Sequence, residues 1–480
     1  METLEPSLTE TMGMPVEEPE QEPARGPGDW VRRNLFRSVA DGVVTVIAAV
    51  VIGYLLFRLG RFVLVSGRWA IIRRNLGFFM FGRYPRDEIW RIGMALCLVA
   101  GYSGVVAGYV HRHRTSTADD HMPLSPGRRA IDIVNRLWPL LLGVAVLLSL
   151  TRTPGPAIVT GLVIASAVAG RLAGQRLPRR GLLAIIAVGI VGPPVLVWFL
   201  ARATGWDNWG GMMLNLFFAV AGISLSFPLG VLLALGRRAG RRTDSRTGGI
   251  VVAALLAAAP LLILIARGFD ATGPMSWVLI GAVAVLGTAG YLIGRSSTLP
   301  LVRIVSVAYI EFFRGVPLFV LLLLGLSALR FFFPRGMDVP GPGVRATVVI
   351  TLFTAAYIAE IVRGGLQSLP RGQTEAAQAL GLSPVKTTGL IVLPQALRNV
   401  IPAIVGQFIS LYKDTTLIGA AMGLFEMLNV AGVATSQPGF FGQGLSPEAW
   451  TFVTFAFWVG CITMSRESQR LERKLGVGTR

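Results

Sequence analysis

Acidic residues are scarce in this sequence. Its 480 residues hold 26 Asp and Glu against 45 Lys and Arg, a formal net charge of +19. Charge of either sign is sparse, at 15% of residues, where soluble domains carry about 25%. Lysine occurs only at Lys386, Lys413 and Lys474. A phosphate-binding loop needs Gly-Lys-Ser/Thr, but Val385, Tyr412 and Arg473 precede these lysines, so ATP hydrolysis cannot come from this chain. Cysteine is limited to Cys97 and Cys461, both in apolar stretches, which predicts free thiols and no disulfide framework. The three histidines, His111, His113 and His121, share one connection without a companion ligand set, so no metal site is expected. No Ser or Cys has a plausible base. The chain reads as no enzyme by itself, with no cofactor.

Apolar residues are what the sequence has in quantity: 53% of the chain, with a mean hydropathy of +0.61. Several runs exceed the roughly 20 residues that cross a bilayer as a helix. Long continuous runs without two-residue alternation exclude a barrel. The fold class is therefore an all-α polytopic membrane protein. In a soluble chain the positive charge would point to nucleic acid. Here the arginines flank apolar spans, so orientation and anionic headgroups account for them, and no nucleic-acid partner is expected.

Residues 1–28 are acidic and Pro-rich and read as a disordered tail. They lack a basic start followed by an apolar core, so a cleaved signal peptide is not expected. Arg32, Arg33 and Arg37 precede the first span, which places the N-terminus in the cytoplasm. Residues 61–90 interleave Trp69, Phe78, Phe79, Phe81, Tyr84 and Trp90 with arginines and read as an interfacial segment on the outer face. Spans are expected near 42–58, 91–110, 134–151, 156–175, 181–202, 210–236, 249–267, 275–293, 301–333, 343–366, 394–412 and 449–465, about twelve in all. Both termini then lie in the cytoplasm, in a multi-pass protein of the cytoplasmic membrane.

Between two late spans lies a polar-to-mixed stretch with helix–break–helix chemistry. Thr374 is a candidate N-cap with Glu375 in the first turn. Ala376, Ala377, Gln378, Ala379 and Leu380 favour helix, and Gly381 suits a left-handed stop. Ser383-Pro384 reads as cap and first position of a second short helix, and Pro394 as the start of the next long one.

This stretch resembles the cytoplasmic "EAA" coupling loop of ABC-transporter permeases. That pattern runs Glu-Ala-Ala, three residues, Gly, nine residues, Ile, one residue, Leu-Pro. Glu375, Ala376, Ala377, Gly381, Ile391, Leu393 and Pro394 fill every named position. Two further phrases, Glu311–Leu318 and Leu411–Leu417, are similar to the polar amino-acid branch of the family (histidine, glutamine and general amino-acid importers). The phrase Phe79–Pro85 resembles the extended N-terminal half of the larger general amino-acid permeases. The resemblance implies a type I importer permease core. It also implies an ABC ATPase subunit docked at the loop, an extracytoplasmic amino-acid-binding protein, and a second permease subunit, identical or different. It divides the chain into extra N-terminal spans at 29–205 and a core at 206–480, with the coupling loop at about 370–393. One departure is an inserted pair of spans at about 239–295, where the family pattern runs on almost directly.

Ionisable groups inside the membrane are costly and therefore informative. Glu311 and Arg314 are three apart, as are Glu360 and Arg363, so each pair can meet on one helix face. Either the members neutralise each other near the cytoplasmic interface, or they form a gate connected to the loop. Lys413-Asp414 interrupts an apolar stretch. It marks either a helix end near the outer surface or a broken helix lining a cavity, with Asp414 for a solute ammonium, Lys413 for a carboxylate, and Thr415 as hydrogen-bond donor. The alternatives to an importer permease are an ion-coupled secondary transporter and a membrane sensor or scaffold.

Overall fold

The computed structural model describes residues 34–114, 126–151, 153–205, 208–238, 274–296, 301–328 and 339–475, with isolated positions between them. The acidic tail, His121 and nearly all of the expected span 249–267 lie outside the described residues. The chain divides into two units, one up to Arg68 and one from Trp69 onward.

In the first unit, helix α1 runs Val39–Arg61. The Ser38 side chain caps it by accepting from the Asp41 N–H at 3.1 Å. Its apolar residues point in every direction and none is buried, which is the pattern of a membrane span.

The second unit opens with α2, Ala70–Phe81. Beyond it are α3 (Ile89–Arg114), α4 (Pro126–Leu150), α5 (Gly155–Arg176) and α6 (Gly181–Ala201). Helices α3 and α5 pack backbone to backbone: a Cβ on Gly104 would collide with Ala167, and one on Gly170 with Gly101. Lipid tails are as apolar as Leu, so close contact through small residues is what holds such a pair.

The remaining helices are α7 (Gly211–Arg238), α8 (Pro274–Ser296), α9 (Leu301–Gly315), α10 (Leu318–Ser327), α11 (Pro342–Gln367), α12 (Gly372–Ala379), α13 (Leu393–Asp414), α14 (Leu417–Met422), α15 (Met427–Thr435) and α16 (Ser446–Leu475). Gly222 lies against Ile350, and Gly230 against Ile358, so α7 and α11 run parallel. Gly222 also meets Leu411, and Gly365 meets Ala396 and Val400, so α13 runs antiparallel to both. One end of this trio carries α12, and the far end carries Gly211.

Six described helices are long and apolar enough to cross a membrane, or up to eight if two bent pairs each count as one span. The other expected spans have evident reasons for falling short. Val134–Leu150 and Ile280–Leu292 are shorter apolar stretches, α16 becomes charged from Arg466, and 249–267 is not described. The expected single segment 301–333 is instead two helices bent by 103° at Val316-Pro317. Pro317 lacks an N–H and disfavours helix at the residue before it, which accounts for the break.

Residues 69–84 differ from a purely interfacial segment. Ile71, Ile72 and Phe79 are fully buried, and the Phe79 ring meets Phe452 edge-on at 5.3 Å. Gly82, at φ 63°, pairs its backbone with Trp209, and a Cβ there would collide with Gly210. Tyr84 donates to the Leu200 carbonyl at 3.1 Å, and burial pushes its phenol pKa upward. The aromatic phrase thus packs against the far ends of α7, α15 and α16 as a strap. The alternation of aromatics and arginines showed an amphipathic segment, but not that its apolar face would meet protein.

Candidate functional site

The coupling stretch forms a compact knob. Helix α12 begins at Gly372 with Arg371 at the cap position, so Thr374 lies inside the first turn and does not cap it. The chain has already turned at Pro370, whose carbonyl accepts from the Gln373 N–H at 3.3 Å. Proline presets φ near the helical value, which moves the start forward. The other end follows expectation. Gly381 is left-handed at φ 75°. The Leu382 N–H reaches back to the Ala377 carbonyl at 3.1 Å, closing the helix in a Schellman-type turn. Ser383 then caps the single turn Pro384–Lys386. Ala377 is buried under the knob, whereas Leu380 is 81% and Leu390 71% exposed, and Val385 is exposed beside them.

No interruption separates the knob from the span. A wide turn, Thr387–Val392, joins Pro384–Lys386 to α13, giving one helical rod of 31 residues from Pro384 to Asp414. Pro394 lies in the first turn of α13, downstream of chain that is already helical. Its missing N–H and its ring are incompatible with tight α-helical winding around Leu390. A turn with i→i+5 spacing relieves both.

Where α7, α9 and α11 meet near the knob, five charged side chains form one network. Arg237 binds Glu311 at 3.0 Å and Glu360 at 3.1 Å. Arg363 forks onto both oxygens of Glu360, and Arg314 approaches Glu360 at 3.8 Å. Glu360 is the hub, with a side chain 23% exposed. The expected Glu360–Arg363 pair is present. Glu311 turns to Arg237 on α7, and Arg314 turns to Glu360 on α11, rather than the two forming a self-contained pair on α9.

The far end of the rod is a break. Helix α13 ends at Asp414 with Thr415 as C-cap, α14 follows at once, and Gly423 in a left-handed conformation divides α14 from α15. Lys413 is exposed and Asp414 half-buried. Thr415 is fully buried. Its hydroxyl donates to the Tyr412 carbonyl at 2.7 Å and accepts from Asn215 Nδ2 at 2.9 Å. It has no free donor for a solute, which removes it from the expected solute-contacting set.

Residues 287–477 match the family described as "Binding-protein-dependent transport system inner membrane component". The glutamate/glutamine/aspartate/asparagine transport system permease protein BztC of Rhodobacter capsulatus is 32% identical over 426 residues, 85% of this chain and 78% of its own length. This chain belongs to that family of ABC importer permeases. The inner membrane amino-acid ABC transporter permease protein YhdY of Escherichia coli is 29% identical over 471 residues, 94% of this chain and 93% of YhdY. The probable glutamine ABC transporter permease protein GlnM of Bacillus subtilis is 32% identical over 214 residues, 43% of this chain and 91% of GlnM.

In the permease, Glu375, Ala376, Ala377 and Gly381 form the knob, while Ile391, Leu393 and Pro394 form its junction with α13. Glu311, Arg314, Glu360 and Arg363 share one network, and Lys413 and Asp414 stand apart at the other end of the rod. Sequence reasoning missed Arg237, although a basic pair closing a long apolar helix was a visible signal. It also missed Asn215 and Glu426, both buried at the break. A lone Asn in an apolar helix and a lone Glu between two apolar segments were the clues.

Removing one member of a desolvated pair strands its partners, at about 3–5 kcal/mol when buried; exposed pairs are worth about 0–1 kcal/mol. Glu360 lies between these limits. Glu360→Gln should therefore cost the permease about 2 kcal/mol, read as a lowered Tm in detergent. Glu311→Gln, at a more exposed site, should cost well under half of that.

Proposed function

We propose that this permease moves polar amino acids inward across the cytoplasmic membrane. It works with a separate ATPase docked at the knob, an extracytoplasmic binding protein that delivers the solute, and a second permease subunit. The knob carries this reading. Its apolar side chains Leu380, Val385 and Leu390 are held out on a stiff helix–Gly–helix frame. A soluble partner that covers them gains apolar burial, and any displacement passes directly into α13 through the continuous rod. Amino acids are the solutes in the names of YhdY, BztC and GlnM. The knob end faces the cytoplasm on this reading, with both termini on the same side.

The working domain is proposed to be 206–480, with 29–205 and the inserted pair 239–295 as additions. GlnM supports this, since 43% of this chain spans 91% of that permease. Helix α8 makes no extended contact with the other described helices. Deleting 239–295 should leave ATPase docking intact; loss of the partner would make the pair part of the core.

Affinity purification of the full chain from its own membranes tests the main proposal. A soluble ATPase should come with it, and reconstituted complexes should take up labelled glutamate or glutamine only with ATP. Uptake driven by an ion gradient alone, with no ATPase bound, would instead make the chain a secondary transporter.

A further inference from the structure

At the far end of the rod, three buried polar side chains meet away from any described ion pair. Asn215 on α7 and Thr415 at the end of α13 are 0% exposed, and Glu426 at the start of α15 is 1% exposed. Asn215 Nδ2 donates to Thr415 Oγ1 at 2.9 Å and to Glu426 Oε2 at 3.3 Å, while its Oδ1 accepts from the Met427 N–H at 2.9 Å. Glu426 accepts from the Leu428 and Asn429 N–H groups at 2.8 and 2.7 Å. A Cβ on Gly419 would meet the same carboxylate, so α14 lies flush against it. Four helices are thus tied at one point, one residue beyond Lys413-Asp414.

We infer that Asn215, Thr415 and Glu426 are positioning residues of the transport cycle: a catch that keeps the Lys413–Asp414 break in register with the coupling rod until solute arrives. This rests on the proposed function above. The rod from Pro384 to Asp414 spans 31 residues, roughly 45 Å at 1.5 Å per residue. Although it carries the wide turn Thr387–Val392 and the interior Pro402, it is helical throughout, so a displacement at the knob is passed on toward Thr415. The contacts beside the two ends of the rod differ in kind. Near the knob, α7, α9 and α11 are joined next to the rod, which adds no side chain to the described ion pairs, by Glu360 meeting three guanidinium groups in a partly exposed network. Coulomb attraction falls slowly with distance, so such contacts tolerate sliding. At the catch the described bonds to Glu426 all come from N–H donors, and hydrogen bonds weaken steeply with distance and angle. A buried acceptor left unsatisfied costs about 1–3 kcal/mol, so the catch is closed or open, with little between. Such a two-state element is what coupling between distant sites requires.

The test uses the complete complex in liposomes, with its ATPase and binding protein, supplied with labelled glutamate, glutamine, aspartate and asparagine. Asn215→Leu removes all three Asn215 bonds at similar volume, and Thr415→Val removes one hydroxyl with little change of shape. Both should raise ATP hydrolysis without solute, at least fivefold for Asn215→Leu and about twofold for Thr415→Val. Amino acid moved per ATP should fall at least tenfold in Asn215→Leu. If Asn215→Leu does not assemble, Thr415→Val decides alone. A merely structural role lowers hydrolysis and uptake by the same factor, or leaves solute stimulation as in the wild type; either result overturns the inference. A wild-type complex without solute-stimulated hydrolysis overturns the proposed function, and the catch with it. Stimulated wild-type hydrolysis with unchanged variants overturns the catch alone.

Discussion

Gly381→Val should abolish transport, cutting uptake at least a hundredfold while the protein stays in the membrane at its normal level. Gly381 has φ 75°, and open space surrounds the position a Cβ would take. The penalty is therefore conformational. A left-handed backbone costs an L-residue about 1–2 kcal/mol, and more if it is β-branched. Moving φ out of that region breaks the Leu382–Ala377 bond and re-aims Leu380 relative to Leu390. The ATPase would then meet a differently shaped surface, and purification of the variant should recover little of it. Gly381→Asn is the control: Asn tolerates this conformation, so it should retain at least half the uptake. Normal uptake in the valine variant would show that the turn does not set the docking geometry.

The knob was legible in the sequence because it is local. Gly381 and Ser383-Pro384 carry their own conformational preferences, and the structure places them as those preferences dictate. Thr374 misled because Pro370 acted first, a competition between two valid start signals. Six of the roughly twelve expected spans were legible from apolar length, and two more appear as bent pairs, since a bilayer demands that length. The bend at Val316-Pro317 was not read, although proline gave the clue; the segment's apolar continuity hid it.

Contacts between distant segments were not legible. Nothing in an i,i+3 rule reveals that Arg237 takes Glu311 from its neighbour Arg314, because that choice depends on how α7 lies against α9. The same holds for the strap. Its periodicity marks Ile71, Ile72 and Phe79 as one face, but only the packed structure shows Phe452 beneath that face. Asn215 and Glu426 are the clearest case. Each stands out as a lone polar residue in an apolar setting, but that the two meet across 211 positions is not written in either segment.

The solute path is the remaining proposal, and a charge swap decides it. Lys413 and Asp414 are the last two residues of α13. Consecutive helical residues point about 100° apart and do not face each other. Lys413 is exposed and Asp414 half-buried, and the described residues show no ion pair between them. A hydrogen-bonded pair is therefore not what places both charges at a break. A zwitterionic solute offers each an opposite charge, with Asp414 for the ammonium and Lys413 for the carboxylate. Exchanging the residues, Lys413→Asp with Asp414→Lys, preserves net charge and composition while reversing that polarity. Uptake of labelled glutamate and glutamine should fall at least tenfold, with ATPase docking unchanged because the knob lies at the opposite end of the rod. Restoring either residue singly should not recover it, since each single variant leaves two like charges side by side. Unaltered uptake and an unaltered preference among amino acids would make the pair structural. The path would then run along another face of α13.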